Sequence, residues 1–372
     1  METISTEQYP VYIGNDSVDK LNEFLSGRDY TSVFILADEN TKKHCLPKLK
    51  KEIPLHKIIQ IKSGEKSKNI RTCEKIWKEL STQNSDRKSV LVNLGGGVIS
   101  DIGGFAASTY KRGIDFINIP TTLLAQADAS VGGKTGIDFM NFKNQIGTFS
   151  FPKAVFVIPD FLKTLNKREL LSGFSEVIKH GLIADRDYWK KIKTPLFLSP
   201  KERGLHAQVL PFGEDLGGVI ISRSIEIKNK IVTADPYENG VRKILNFGHT
   251  IGHAIESASL KTKKHLLHGE AIAIGMICEV YLSRKCKGLS SEELDEITSF
   301  IISVFNPKPV TYPVKNLIAL MKQDKKNKNE EINFTLLSCI GKAEINNSCT
   351  EELIEESIKF FNERLAPALK GV

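Results

Sequence analysis

Four short apolar runs constrain the fold of this chain more than any other feature. They are Val33–Asp38, His56–Gly64, Ser89–Gly97 and Phe116–Thr122, with helical periodicity in the gaps, as around Ile70–Leu80. Alternation of strands with helices argues for a parallel sheet wrapped by helices, because parallel strands need a crossover between them. Ligands of such sheets bind beyond the carboxyl ends of the strands. After Asp160 the texture changes. Long helical patterns cover Lys167–Ala184, Ser222–Thr233, Gly248–Ser257, Gly269–Lys285, Ser291–Val304 and Glu351–Leu365. The expectation is an α/β chain, with a Rossmann-like parallel-sheet domain over 1–160 followed by a mostly α-helical domain over 161–372. Thr194–Gly218 has little periodicity and several breakers, and reads as loop or irregular helix.

A chain of 372 residues suits two domains. With 41% apolar and 26% charged residues it has an ordinary globular composition. The net charge of +8 is modest for this length. A nucleic-acid binder would carry a basic run or a known module. The densest basic stretch, Lys322–Lys328, is interrupted by Asp324. The positive excess is therefore assigned to an acidic small substrate. No cysteine pair has the C-x-x-C spacing, so Cys45, Cys73, Cys278, Cys286, Cys339 and Cys349 read as scattered, reduced thiols of a cytoplasmic protein. The first residues lack a signal-peptide pattern, and no apolar run reaches membrane-spanning length.

Four motifs could carry chemistry. Leu94-Gly95-Gly96-Gly97-Val98-Ile99-Ser100-Asp101 follows a strand and opens a helix, so its backbone could approach a pyrophosphate. It lacks the G-x-G-x-x-G spacing, and a glycine triplet alone is more often a tight structural turn. Val131–Gly136 tempts a phosphate-loop assignment, but Asp128 stands where that motif needs glycine. With Lys143 and Asn144 close behind Lys134, it would ordinarily be a solvated loop. In Glu176-Val177-Ile178-Lys179-His180, Glu176 and Lys179 share a helix face, usually as a surface ion pair. In Asn246–His253, His249 and His253 project from one side of a helix, with His265, His268 and Glu270 downstream. A lone histidine is more often structural, but several beside a carboxylate point to a metal.

In order along nearly the whole chain, GGGVISDIGGFAASTYKRG, IPTTLLAQADASVGGKTGID, KNQIG, SEVIKHG, RKILNFGHTIGHAIE and LLHGEAIAIGM resemble the blocks of the 3-dehydroquinate synthases. The resemblance implies that Glu176, His249 and His268 hold one divalent metal, zinc or cobalt. It implies that His253 handles protons instead of binding metal, that Glu238 is a second proton acceptor, and that Lys179 joins them in catalysis. Lys134, Asn144, Lys228, Arg242 and Asn246 match substrate-binding positions, with one of Lys325 and Lys326 on the phosphate. Arg112 matches an arginine that reaches a neighbouring subunit's site, which implies a homodimer. For NAD the matching positions are Asp38, Asn40, Glu65, Lys68, Gly96, Gly97, Val98, Asp101, Thr121, Thr122, Asp128, Lys143 and Thr164. Ser172 departs from the family, where asparagine is common, and puts one cofactor contact in doubt.

The activity so implied converts 3-deoxy-D-arabino-heptulosonate 7-phosphate to 3-dehydroquinate and phosphate, a step of the shikimate pathway to the aromatic amino acids. NAD transiently oxidises a hydroxyl, phosphate is eliminated, the hydride returns and an aldol closure forms the ring. The nearest rival, a metal-dependent polyol dehydrogenase, needs no cluster of cations. Another sugar phosphate cyclase is a closer rival, against which Lys228, Asn246 and His253 stand together. A basic scaffold or nucleic-acid binder has no motif behind it.

Overall fold

A computed structural model describes residues 1–49, 53, 56–140, 142–194, 214–260, 262, 265–323 and 332–369. The chain forms two compact units, Met1–Leu170 with Gly217–Tyr237, and Leu171–Leu216 with Glu238–Val372.

The first unit is built on a sheet of β1 (Glu2–Ser5), β2 (Pro10–Ile13), β3 (Val33–Asp38), β4 (His56–Ile61), β5 (Val90–Gly95), β6 (Asp115–Pro120) and β9 (Val155–Val157), in the order β1-β2-β9-β6-β5-β3-β4. Every pairing is parallel except β1 with β2 at the edge. Both faces are buried, which explains the unbroken apolar runs. Ile35, Val90, Val92 and Leu94 pack on one side with Leu21, Phe24 and Leu25 of α1 (Ser17–Ser26). Phe34, Leu36 and Leu91 pack on the other with Cys73, Ile76 and Leu80 of α4 (Ile70–Thr82) and Ile99, Ile102 and Phe105 of α5 (Gly97–Thr109). Two short helices, α2 (Glu39–His44) and α3 (Leu46–Leu49), link β3 to β4.

The strand order is Rossmann-like. After β3 the chain moves outward to β4, then returns to place β5 on the other side of β3. The carboxyl ends of β3 and β5 flank this reversal, where open α/β sheets bind ligands. Asp38 ends one strand and Gly95-Gly96-Gly97 follows the other.

The segment expected to be a solvated loop is an antiparallel hairpin, β7 (Lys134–Phe139) with β8 (Phe142–Phe149). Gly136 pairs with Gly147, and an added Cβ would lie 2.7 Å from the Ile146 carbonyl oxygen or 2.2 Å from that of Thr135. Both glycines are thus demanded by close backbone packing.

The second unit holds α6 (Lys167–Ala184, from Leu171 onward), α7 (Arg186–Lys193), α9 (His249–Ser259), α10 (His268–Lys287), α11 (Ser291–Phe305), α12 (Val314–Lys322) and α13 (Glu351–Leu369), together with the hairpin β10 (Asn333–Cys339) and β11 (Lys342–Ser348). Helix α8 (Glu214–Ala234) belongs to the first unit from Gly217 onward. Buried residues cover most of α10, which packs against α9, α11, α13 and β10. Of Thr194–Gly218, residues 195–213 lie outside the described residues.

Among the described residues, no helix is long and apolar enough to cross a membrane. All six cysteines are free. They are less scattered than expected, for the Cys286 and Cys349 sulfurs are 3.9 Å apart.

Candidate functional site

In the first unit, most of the residues matched to NAD binding gather at the carboxyl ends of the strands. Gly96 caps α5 and Gly97 begins it, with no side chain capping that end. An added Cβ on Gly96 would sit 2.9 Å from Thr122 Cγ2, so this glycine lets the turn close on the end of β6. Thr121 donates its N–H to the Gly95 carbonyl at 3.0 Å, and the Thr122 hydroxyl accepts from Ala125 N–H at 3.2 Å. Lys68 is buried and its ammonium is 2.5 Å from Asp101 Oδ2 and bonded to Asn144 Oδ1. Asn144 in turn donates its backbone N–H to Asp138 Oδ1 at 2.8 Å, and Asp138 donates its own to the Lys68 carbonyl at 2.9 Å. Burial raises the Asp101 carboxyl above its usual value although Lys68 opposes this. Burial also pulls Lys68 down, but the Asp101 and Glu65 carboxylates outweigh it and its pKa is raised. Lys143 pairs with Glu65 at 3.2 Å. Lys228 reaches Asp128, at 2.9 Å from Oδ1 and 2.6 Å from the carbonyl oxygen.

Other matched positions stand less centrally. Asp38 caps α2 by accepting from Thr41 N–H at 2.8 Å, while Asn40 is exposed on that helix. Thr164 ends a 3₁₀ turn, its hydroxyl donating to the Phe161 carbonyl at 3.2 Å. Lys134 is exposed at the start of β7. Arg112 is exposed at φ 68°, directly after Lys111 at φ 49°. Two successive side chains in the left-handed region cost on the order of 1 kcal/mol or more each, a strain that collects at functional turns.

The second unit brings Glu176 of α6, His249 of α9 and His268 of α10 to a point. Both histidine Nε2 atoms lie 3.4 Å from Glu176 Oε1. Each ring is oriented through its other nitrogen. His249 Nδ1 is 3.0 Å from the Phe247 carbonyl, and His268 Nδ1 is 3.2 Å from Glu256 Oε2. An Nδ1–H held in this way turns the Nε2 lone pair inward, the usual support of a metal-binding imidazole. Burial opposes ionisation of Glu176, yet Lys179, His249 and His268 hold its carboxyl well below the usual range. Burial and Lys179 push His249 down towards the neutral form. Burial also opposes charge on His268, but Glu256 and Glu176 raise it to about 9.

His253 stands beside this set, its ring centroid 5.1 Å from that of His249 and 5.8 Å from that of His268. The ligand atoms of these three histidines lie within 4.8 Å of one another, so geometry permits a rival ligand set. Glu238, at φ 61°, accepts from Asn246 Nδ2 at 2.9 Å. Arg242 is buried in the 3₁₀ turn Val241–Asn246. Lys325 and Lys326 lie outside the described residues.

Glu256 and Ser172 support His268 in ways that the reading of the sequence missed. Glu256 follows His249 by seven residues and His253 by three, so helical spacing alone would have placed it on their face. Ser172 was read as a weakened cofactor contact. Its hydroxyl accepts from the N–H of Gly269 at 3.0 Å, holding the start of α10 beside His268.

The family model described as 3-dehydroquinate synthase N-terminal matches residues 58–172, and the one described as 3-dehydroquinate synthase C-terminal matches residues 173–327. A 3-dehydroquinate synthase of Parabacteroides distasonis is 42% identical over 365 residues, covering 95% of this chain and 98% of that protein. Two solved structures share the fold, each with a TM-score of 0.81. One is a 2-deoxy-scyllo-inosose synthase complexed with carbaglucose-6-phosphate, NAD+ and Co2+, 22% identical over 96% of this chain and 99% of that one. The other is a 2-epi-5-epi-valiolone synthase from Streptomyces hygroscopicus with NAD+ and Zn2+ bound, 21% identical over 98% and 99%.

Proposed function

The chain belongs to the 3-dehydroquinate synthase family, and from that premise we propose that it converts 3-deoxy-D-arabino-heptulosonate 7-phosphate to 3-dehydroquinate and phosphate in the cytoplasm, using NAD and one divalent metal, zinc or cobalt. The observation that carries this reading is the convergence of Glu176 Oε1 with two Nε2 atoms whose rings are fixed from behind. One carboxylate and two imidazoles are a donor set suited to zinc, and three protein ligands are the number used in catalytic sites. The uncapped start of α5 after Gly96 likewise suits a pyrophosphate.

When bound, NAD supplies a hydride acceptor that is restored within the turnover, and the metal supplies a Lewis acid for hydroxyl and carbonyl oxygens. The remaining work falls to side chains. His253 and Glu238 are assigned proton transfer, for which a group titrating near neutrality is useful. Lys179 holds Glu176 ionised from within the fold and is assigned to the reacting end of the substrate. Lys134, Asn144 and Lys228 in the first unit, and Arg242 and Asn246 in the second, are assigned to binding the phosphate, carboxylate and hydroxyls. One of Lys325 and Lys326 adds a phosphate contact.

A homodimer is part of the reading. Phe139, Met140, Ile146 and Phe149 of the β7–β8 hairpin each expose apolar side-chain surface, which supports burial of part of the hairpin against a second copy. Arg112 is assigned to the neighbouring subunit's site.

The test is metal dependence. Chelation is expected to abolish phosphate release from the heptulosonate phosphate, and zinc or cobalt to restore it. His249→Ala should purify without stoichiometric metal, and full metal with full activity in that variant would overturn the ligand assignment.

A further inference from the structure

Helix α9 starts on His249 and has no cap of its own, because its N-cap is Gly248 at φ 79°. A helix start leaves backbone N–H groups without partners in the helix. Here the acceptors come from α10. Glu279, fully buried, accepts from Gly248 N–H at 2.7 Å, Thr250 N–H at 3.1 Å and Ile251 N–H at 3.3 Å. His249 lies between the first two of these anchors. Its Nδ1 bonds the Phe247 carbonyl, one residue before Gly248. The direction of its imidazole therefore depends on a backbone segment that Glu279 grips on both sides.

The same helix begins with His268. Glu279 follows it by 279 − 268 = 11 residues, about three turns, and so projects from the same face. Between them Gly275 lies so close to the start of α9 that an added Cβ would stand 2.0 Å from the Gly248 carbonyl oxygen and 2.7 Å from Gly252 N, and Ile272 and Met276 pack on the same two glycines. One face of α10 thus carries a candidate ligand, the surface that seats α9, and the carboxylate that clamps the start of α9.

We propose that Glu279 is a positioning residue of the metal centre, fixing His249 against His268. This rests on reading Glu176, His249 and His268 as metal ligands. The carboxylate acts in two ways. It holds the backbone that aims His249, and its charge offsets the partial positive charge of the helix start, which would otherwise oppose a cation at the first residue.

A buried carboxylate could instead serve folding alone, so the test separates the two roles. Glu279→Gln keeps the shape, removes the charge and replaces one accepting oxygen with an NH2 group that cannot take a backbone N–H. Glu293→Gln is the control. Glu293 is a buried carboxylate on α11, which bears no candidate ligand; it accepts from Ile340 N–H at 3.2 Å and pairs with Arg186 at 3.1 Å. Zinc affinity of the chelator-stripped full chains is measured by competition with a chromophoric chelator, and Tm is measured on the same stripped samples. Glu279→Gln is expected to bind zinc about 10–100-fold more weakly, the usual effect of losing an outer support. Glu293→Gln should lose Tm yet bind zinc as the parent does. Equal zinc affinity in all three proteins, or losses that track Tm in both variants, overturns the proposal. Should Glu279→Gln not fold, Glu279→Asp replaces it: weaker zinc binding in a folded protein supports the role and unchanged binding refutes it. Absence of zinc binding by the parent would refute the ligand assignment itself, and the positioning role with it.

Discussion

Gly275→Ala is expected to damage both stability and the metal centre, although it adds a single methyl group to a helix. The new Cβ would stand 2.0 Å from the Gly248 carbonyl oxygen, 2.7 Å from Gly252 N and 3.0 Å from Gly252 Cα. All three are backbone atoms, so no side chain can rotate away. Reaching even a 3.0 Å contact requires α9 to retreat by at least 3.0 − 2.0 = 1.0 Å from α10. Overpacking of this kind costs about 1–3 kcal/mol, which corresponds to a fall of several degrees in Tm. The same shift carries His249 away from His268, and a misplacement of about 1 Å costs roughly 10²-fold in rate. Gly218→Ala is the control, since nothing lies within 4 Å of an added Cβ there. Alanine is favoured over glycine in a helix by about 0.5–1 kcal/mol, so this variant should be neutral or more stable. Thermal melts and zinc content of both variants decide the matter. Parental Tm and full zinc in Gly275→Ala would refute the reasoning that close helix contact sets the site.

Three further outcomes are expected. Lys68→Met leaves the Asp101 carboxylate, 21% exposed, without its ammonium, a loss of about 1–3 kcal/mol, and should weaken NAD binding. Because the Lys68 pKa lies above the usual 10.5, its contribution is complete below that value and disappears as pH rises through the folded-state pKa. The stability gap between parent and variant, from urea titrations, should therefore stay level from about pH 7 to 10 and narrow above that; a gap that widens with alkalinity would contradict the pairing. His253→Ala should keep its metal and lose turnover by about 10²–10⁴-fold, whereas substantial metal loss would make His253 a ligand. Mixing Arg112→Ala subunits with Lys134→Ala subunits should restore some activity in confirmed heterodimers, and none would return if Arg112 acts within its own chain.

The strands of the first sheet were legible because both faces are buried. Phe34 and Leu36 point to one core and Ile35 to the other, so β3 shows as an unbroken apolar run. Helices α6 and α11 begin where their periodicity begins. The β7–β8 and β10–β11 hairpins were missed for a physical reason. The first places glycine opposite glycine, and the second has partly exposed, mixed faces along Lys342–Ser348. At the site, the spacing of His249 and His253 was visible, but which of them faces Glu176 is a matter of tertiary packing. Glu279 left no trace in the sequence, since no periodicity links a carboxylate to backbone N–H groups about thirty residues earlier. Lys68, Asp101 and Asn144 were named separately from the family resemblance, and only the fold shows them bonded together.

The most direct measurement of the activity is the stoichiometry of phosphate and NADH during turnover of 3-deoxy-D-arabino-heptulosonate 7-phosphate with zinc and sub-stoichiometric NAD. The expected result is one phosphate released per substrate consumed, far beyond the NAD supplied, with no steady accumulation of NADH. NADH rising in proportion to product, or appearing with glycerol while the heptulosonate phosphate releases no phosphate, would contradict the cyclase assignment and point to a polyol dehydrogenase.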